Sequence, residues 1–209
     1  MGRRNQKNNQ WLQAHRRDYF VRQAHQLGYR SRAVYKLQAI DQRDNLLSRG
    51  IRVLELGAAP GGWSQYTAAR VGPRGLVVSV DLIAMKPVPN VHFLHGNFTD
   101  CAVRNSLIDK LGAADLVLSD MAPNITGIRG VDQAHFLDLL EATLDLACVV
   151  LQTGGNMLLK VFEGHEISAF RSRCEHSFRQ VQVRKPPASR SKSREYYLLA
   201  RGYTGHDCL

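Results

Sequence analysis

The chain has 209 residues, 44% of them hydrophobic, which is enough for one globular domain with a substantial core. Its formal net charge of +10 and its pI near 9.8 indicate a polyanionic partner. The sequence has no apolar run of membrane-spanning length, and no apolar signal-peptide core follows the basic N-terminus. We therefore expect a cytoplasmic protein with no membrane partner.

The positive charge is concentrated in two segments. Residues 1–50 contain 11 Lys and Arg against 3 Asp and Glu, and residues 179–201 contain 7 against 1. A generally basic surface would not be so uneven, so we interpret these segments as nucleic-acid-binding flanks of a neutral-to-acidic core. Residues 1–10 are expected to form a mobile basic tail. Residues 11–209 are expected to form a single domain, in which residues 11–50 are a helical extension that binds the nucleic acid.

The four cysteines give no sign of a disulfide framework or a metal site. They are far apart in the sequence and form no C-x-x-C pair, at Cys101, Cys148, Cys174 and Cys208. The pattern is typical of free thiols in a reducing compartment, and we predict no bound metal.

Apolar periodicity predicts alternating strands and helices along the chain. The predicted strands are 51–56, 76–81, 91–94, 115–119, 156–162, 178–183 and 195–200. Helices are expected over 11–27, from Ser31 to Ile40, after Gly62, before Leu111, from Asp132 to about 154, and over 167–176. This alternation predicts an α/β fold with a doubly wound, mostly parallel, Rossmann-like sheet of seven strands and an antiparallel terminal strand.

A glycine turn follows the first predicted strand. Gly57, Gly61 and Gly62 lie between the apolar run 51–56 and a helical segment. Such a turn makes a ligand-binding edge, because glycine lets a ligand approach the backbone closely. Trp63 stands where a phosphate-binding loop has lysine, and Ala59 interrupts the dinucleotide-binding pattern, so a ligand without a pyrophosphate fits better.

Asp81 ends the second predicted strand, where a carboxylate can accept hydrogen bonds from a ribose diol. A nucleoside ligand without phosphates points to S-adenosylmethionine. The alternative is a structural turn followed by a surface aspartate, but the two features occur in the order and spacing of a nucleoside site.

Lys160 lies inside an apolar strand, where a charged amine is costly unless an acid pairs with it. Asp120, at the tip of the preceding strand, and Glu195, on the final strand, are candidate partners. The alternative is a lysine that extends from the strand end into solvent. Lys36, on the second predicted helix, is by default a solvated charge.

Five short motifs extend this interpretation to a family. They are Ser31–Leu37, Leu56–Gln65, Ser119–Asn124, Leu159–Phe162 and Ser193–Glu195. In these motifs and their order the chain resembles the FtsJ/RrmJ (RlmE) family of ribosomal RNA ribose 2′-O-methyltransferases, from about Trp11 to Gly202. The resemblance implies the fold of class I methyltransferases and S-adenosylmethionine as the cofactor.

The resemblance also implies site residues. The catalytic tetrad of the family corresponds to Lys36, Asp120, Lys160 and Glu195. Its cofactor-binding positions correspond to Gly61, Trp63, Asp81 and Asp120, and Gly57 of the glycine turn is a further candidate. At a position where the family commonly has an aspartate that contacts adenine, this chain has Asn97, whose amide oxygen can accept the adenine amino hydrogen.

A methylation mechanism follows from this tetrad. A ribose hydroxyl must be aligned with the methyl group and must lose its proton. Lys160 and Asp120 are expected to steer the hydroxyl, while Lys36 and Glu195 position them. The sequence leaves open which lysine accepts the proton, and Lys160 is our first choice.

The basic flanks supply candidate RNA-binding residues next to the tetrad, namely Arg30, Arg32, Lys185, Arg190 and Arg194. The resemblance suggests an enzyme that methylates a uridine of the A-loop in 23S RNA within the assembled 50S subunit, and we expect a monomer. A methyltransferase of another RNA (transfer RNA or a messenger cap) and a non-catalytic, RNA-binding ribosome-assembly factor are the alternatives.

Overall fold

The computed structural model describes residues 19–122, 126–164, 167–189 and 193–205. Within these ranges the strands are β1 (Arg52–Leu56), β2 (Leu76–Asp81), β3 (Val91–His95), β4 (Ala114–Ser119), β5 (Leu151–Phe162), β6 (Phe178–Arg184) and β7 (Glu195–Tyr203). The helices are α1 (Tyr19–Gln26), α2 (Val34–Asp44), α3 (Gly62–Val71), α4 (Cys101–Leu111), α5 (Arg129–Val150) and α6 (Ile167–Ser177).

The seven strands form one sheet in the order β3-β2-β1-β4-β5-β7-β6. Strands β1 to β5 pair in parallel, whereas β7 runs antiparallel to both β5 and β6. The predicted doubly wound, mostly parallel sheet with an antiparallel terminal strand is therefore confirmed. The sequence did not predict that β7 lies between β5 and β6, and this position brings the start of β7 beside the end of β5.

Each face of the sheet is covered by helices. One cluster of buried apolar residues packs α4, α5 and α6 against one face, and a second packs α1, α2 and α3 against the other. Neighbouring strand residues point to opposite faces, so Val53 belongs to the second cluster and Leu54 to the first. Burial on both faces explains why these strands read as nearly continuous apolar runs.

The cysteines differ from the sequence-based expectation at one position. Cys101 is an exposed free thiol, and Cys174 is a buried one whose pKa is raised by burial to about 12. Cys148 is disulfide-bonded, so the expectation of free thiols is wrong for this residue. Cys208 lies outside the described residues.

Several other expectations also fall outside the described residues. They are the tail at 1–10, the first part of the predicted helix 11–27, Arg190, and the end of the motif Ser119–Asn124. Among the described helices, none combines the length and apolar character needed to cross a membrane. The same part of the chain contains no group of three or more His, Cys, Asp or Glu side chains able to hold a metal ion.

Leu107 on α4 tests the packing of the first cluster, because its side chain is fully buried. We expect Leu107→Ala to lower the free energy of unfolding by about 2–5 kcal/mol, since the remaining cavity adds to the lost burial. Urea denaturation measures this change. Val149→Ala on α5 is the control, because that side chain is 58% exposed and its truncation should cost less than about 0.5 kcal/mol. Equal losses in the two variants would contradict close packing at Leu107.

Candidate active site

A cavity of about 430 Å³ lies at the carboxyl ends of β1, β2 and β4, where the strand order changes direction. Four predicted cofactor-binding residues line it, namely Gly57, Asp81, Asn97 and Asp120. Apolar side chains, including Phe98, Met121 and Leu139, form part of the same wall. An apolar wall with a few polar groups is typical of a site for a small molecule.

Gly57 is required where β1 turns into the cavity wall. Its φ is +77°, and a Cβ atom there would lie 2.5 Å from Cγ of Met121 and 3.1 Å from the Met121 main-chain nitrogen. Any larger residue would therefore strain the turn and displace the strand end that carries Asp120.

The carboxylate of Asp81 is held by two main-chain donors. The Ala59 N–H donates to Oδ2 and the Ile83 N–H donates to Oδ1, each at 2.8 Å. Each carboxylate oxygen retains a second lone pair. The group is thus oriented at the cavity and keeps acceptor capacity for a ligand.

Asn97 has its amide orientation set in a similar way. Its Oδ1 accepts a hydrogen bond from the Thr99 N–H at 3.1 Å. Only the oxygen can accept this bond, so the amide nitrogen Nδ2 must occupy the other position. The oxygen keeps a second lone pair, so the expectation that it accepts the adenine amino hydrogen stays a prediction.

Gly61 and Trp63 are absent from the lining of this cavity. Trp63 is 3% exposed, its indole N–H donates to the Ala33 carbonyl oxygen at 2.8 Å, and its ring lies 5.8 Å from the ring of Tyr197. Both residues stay predictions as cofactor ligands. In the structure, Trp63 packs against Tyr197, whose hydroxyl donates to Asp120 of the tetrad.

The four tetrad residues form two ion pairs. Lys160 Nζ lies 3.1 Å from Asp120 Oδ1 and also donates to the Asp120 main-chain oxygen. Lys36 Nζ lies 2.6 Å from Glu195 Oε1. Both lysines are only 8% exposed, so each buried amine has an acid partner. Lys36 is therefore not the solvated charge that its position on a helix suggests by default.

Tyr197 holds Asp120 of the first pair, and the sequence-based prediction missed it. It lies opposite Lys160 in the β5–β7 ladder, and Glu195 lies opposite Phe162 on the same ladder. Tyr197 is fully buried and its hydroxyl donates to Asp120 Oδ1 at 2.8 Å. Strand alternation was the available signal, because Glu195 and Tyr197 are two residues apart and share a face.

The electrostatics of Glu195 reflect its partners. Burial favours the neutral acid, but the hydrogen bond and charge of Lys36, with the hydroxyl of Ser189 and the charge of Lys160, outweigh it and hold the pKa of Glu195 below its ordinary value. Glu195 is therefore a carboxylate at neutral pH and can keep Lys36 in place.

Two predicted RNA-binding arginines make structural hydrogen bonds. Arg30 donates to the main-chain oxygens of Lys86 and Pro87 at 2.5 and 2.6 Å, which fixes the loop after β2. Arg32 donates to the Ala188 carbonyl oxygen at 3.1 Å and so contacts the loop after β6. Carbonyls in loops lack ladder partners, and arginine satisfies them.

Lys185 has a similar structural role. Its Nζ donates to the main-chain oxygens of Ser193 and Glu195 at 2.8 and 2.5 Å, which closes the base of the β6–β7 loop beside the tetrad. Arg194 is exposed next to Glu195. All five cations stay predictions as RNA ligands, and the exposed Arg194 suits a contact with a phosphate.

Glu55 on β1 is a further ionisable group that the sequence-based analysis did not select. It is 1% exposed, and the Ser64 hydroxyl donates to its Oε2 at 2.6 Å. Burial raises the pKa of Glu55 to about 8, with the hydrogen bonds of Ser64 opposing and the charges of Asp120 and Asp81 adding to the rise. The group is therefore mainly a neutral acid at pH 7.

Proteins of known family are similar to this chain in sequence. The profile of the FtsJ-like methyltransferase family matches residues 29–203. A protein from Alkalilimnicola ehrlichii named ribosomal RNA large subunit methyltransferase E is 47% identical over 207 residues, covering 97% of this chain and 99% of the relative. The protein of the same name from Pseudomonas aeruginosa is 45% identical over 204 residues, with 97% and 99% covered.

Solved structures share the fold. A Plasmodium falciparum chain assigned as a ribosomal RNA methyltransferase matches with a TM-score of 0.77 and 27% identity, over 85% of this chain and 100% of that one. Aeropyrum pernix fibrillarin, solved with bound S-adenosylmethionine, matches with a TM-score of 0.54 and 17% identity over 82% of this chain and 75% of that one. At that identity the second likeness concerns the fold alone.

The free energy of unfolding should fall as the pH rises, because burial raises the pKa of Glu55. The unfolded chain ionises Glu55 near the ordinary pKa of 4.5, whereas the folded chain does so near 8. Below pH 4.5 the Glu55 carboxyl is neutral in both states and costs the folded state nothing. Between pH 4.5 and pH 8 the free energy of unfolding falls, by a total on the order of a few kcal/mol. We expect the unfolding free energy of Glu55→Gln relative to that of the original protein to rise between pH 5 and pH 8, measured by urea denaturation. Glu175→Gln, at a half-exposed residue of α6, is the control. A pH-independent difference at Glu55 would contradict the raised pKa.

Proposed function

Because the chain belongs to the FtsJ-like methyltransferase family, we propose that it uses S-adenosylmethionine to methylate a ribose 2′-hydroxyl in large-subunit ribosomal RNA. The match of the family profile confirms the resemblance stated from the sequence. The proposed target is a uridine of the A-loop of 23S RNA in the assembled 50S subunit. The observation that carries this proposal is the Lys160–Asp120 pair at the edge of the cavity.

The cavity residues fit the cofactor. S-adenosylmethionine, when bound, supplies a methyl group on a positively charged sulfur, which is already activated for transfer. Asp81 keeps acceptor capacity for a ribose diol, and the acidic Asp120 favours a cation nearby. Asn97 lines the cavity, and its Oδ1, which accepts one hydrogen bond from the Thr99 N–H, can also accept the adenine amino hydrogen.

The tetrad supplies what a ribose hydroxyl needs. A hydroxyl is a weak nucleophile until a base accepts its proton, and it must be held in line with the methyl group. Lys160 and Asp120, 3.1 Å apart, can bind and orient the hydroxyl, and Lys160 can accept its proton when this amine is in the neutral form. Lys36 and Glu195 form the second ion pair of the tetrad and are proposed to position the first.

Oxygen is a better acceptor of the methyl group here than a pyrimidine ring carbon. Methylation of that carbon uses a nucleophile, such as a thiol, to activate the ring. Cys101 on α4 and Cys174 on α6 are the described free thiols, and neither lines the cavity. Asp120, which lines the cavity, and Lys160, which is paired with it, suit proton transfer from a hydroxyl instead.

The RNA is proposed to approach over the basic flanks. The exposed Arg194 lies beside Glu195 and suits a phosphate contact that delivers the ribose to the tetrad. The N-terminal extension, residues 11–50, would contribute to the same surface. We further propose that the protein acts as a cytoplasmic monomer.

Lys160→Met tests the proposed function. The variant removes the proton acceptor while keeping a similar shape, so we expect methyl transfer to fall by roughly 10²–10⁴-fold. The measurement is the mapping of 2′-O-methylated nucleotides by mass spectrometry. The RNA comes from cells lacking the gene and from the same cells supplied with the original or the variant protein.

Lys110→Met on the exposed side of α4 is the matched control and should restore methylation fully. Unchanged methylation in the Lys160 variant would favour a non-catalytic assembly factor. A methyl group that appears in transfer RNA, in a messenger cap or on a base would contradict the proposed substrate.

Tyr197→Phe tests the contact that sequence reasoning missed. The ring and its packing against Trp63 remain, but Asp120 loses a donor at 2.8 Å. A hydrogen bond to a charged group is worth about 1.5 kcal/mol, so we expect the single-turnover rate of methyl transfer to fall roughly tenfold. Tyr203→Phe removes a buried hydroxyl whose partner is the Cys148 carbonyl oxygen, and it should leave the rate unchanged. Equal rates in both variants would exclude a role for Tyr197 in holding Asp120.

A further inference from the structure

Asp44, the last residue of α2, is held by two arginines of the β6–β7 hairpin. Arg184 donates from Nε to Oδ2 and from Nη2 to Oδ1, both at 2.7 Å. Arg201 Nη2 lies 3.5 Å from Oδ1 and donates to the Asp44 main-chain oxygen. The side chains of Asp44 and Arg184 are only 7% and 10% exposed, so this is a desolvated, two-pronged pair.

This contact and the Lys36–Glu195 pair join the same helix to the same hairpin. Lys36 and Asp44 are eight residues apart on α2, which is about 12 Å along a helix. The first meets Glu195 at the start of β7, and the second meets Arg184 at the end of β6. Two directional contacts at separate points fix both the axial position and the rotation of the helix.

The strand register connects Arg184 to the tetrad as well. Arg184 lies opposite Tyr197 in the β6–β7 ladder, and Tyr197 lies opposite Lys160 in the β5–β7 ladder. The anchor for Asp44 is therefore next to the residue that holds Asp120. A shift of α2 relative to this strand pair would change the distance from Lys36 to the rest of the tetrad.

We propose that Asp44 is a positioning residue of the active site, whose pairing with Arg184 and Arg201 fixes α2 where Lys36 meets Glu195. This inference rests on the proposed function only for its kinetic readout. It also gives two cations of the basic segment 179–201 a role other than binding RNA. Asp41 anchors α2 separately, to Tyr66 and Arg70 of α3, so loss of the Asp44 contact displaces the helix without detaching it.

Glu195 reports the position of Lys36. The charged groups around its carboxylate are Lys36 from α2 and Lys160 from β5, and Lys185 donates to its main-chain oxygen. Tyr197, two residues along the same strand, donates to Asp120. Burial opposes these cations, so a weaker contact with Lys36 must raise the pKa of Glu195.

The experiment measures the pKa of Glu195 by NMR on the full chain with ¹³C-labelled glutamate, assigned by comparison with Glu195→Gln. We expect Asp44→Asn to raise this pKa by about one unit, because a tenfold weaker contact corresponds to one unit. The single-turnover rate should fall roughly tenfold and its acid limb should move to higher pH by the same shift, while the dissociation constant of S-adenosylmethionine stays within about twofold.

Arg184→Lys is the second variant, since it keeps the charge but loses the fork, and it should shift the pKa in the same direction by a smaller amount. If Asp44→Asn does not fold, the pKa of Glu195 in Arg184→Lys tests the proposal instead. Leu107→Ala is the control for destabilisation alone, and it should leave the pKa of Glu195 unchanged.

Variants that lose stability without a change in the pKa of Glu195 or in the rate would overturn the proposal and make the pair merely structural. A shift of the pKa in a protein that does not methylate ribosomal RNA would support the positioning role and refute the proposed function. If the original protein methylates ribose but Asp44→Asn leaves the pKa of Glu195 unshifted, the proposed function would be supported and the positioning role refuted.

Discussion

The buried ion pair between Lys160 and Asp120 is the interaction on which the site depends. An ammonium that is 8% exposed has lost most of its hydration, and an acid 3.1 Å away compensates for this loss. The Tyr197 hydroxyl donates a further hydrogen bond to that acid. If either charge were removed, the other would remain buried without compensation, so the two groups hold each other at the edge of the cavity. The geometry that stabilises the pair also places the two groups where they can bind and orient a hydroxyl.

The same requirement for compensation positions helix α2. Each buried charge on this helix has a partner on a different element: Lys36 with Glu195 of β7, Asp41 with Tyr66 and Arg70 of α3, and Asp44 with Arg184 of β6. Apolar packing alone tolerates small sliding movements, whereas hydrogen bonds between charged groups depend on distance and direction. The polar contacts therefore specify where the helix sits on a surface that apolar residues cover.

The distribution of positive charge has two consequences that composition does not separate. Arg30, Arg32 and Lys185 donate to main-chain oxygens of loops around the site, and Arg184 and Arg201 are paired with Asp44. The net charge still creates an attractive field for a polyanion, because a hydrogen bond to a carbonyl does not neutralise a cation. The cations that are paired with acids contribute less to this attractive field. The structure therefore directs the search for phosphate contacts to exposed residues such as Arg194.

The sequence by itself determined the order and type of the elements, because the period of apolar residues reports which faces are buried. It also located the edge of the sheet where the cavity lies, since Gly57 and the acids at the end of β2 and directly after β4 reflect local backbone requirements. Motif resemblance named the tetrad. Only the tertiary structure decided that β7 lies between β5 and β6, that Tyr197 holds Asp120, that Glu55 has a raised pKa, and that Asp44 pairs with Arg184. These features depend on strand order and burial, which residues far apart in the chain create together, so no local pattern contains them.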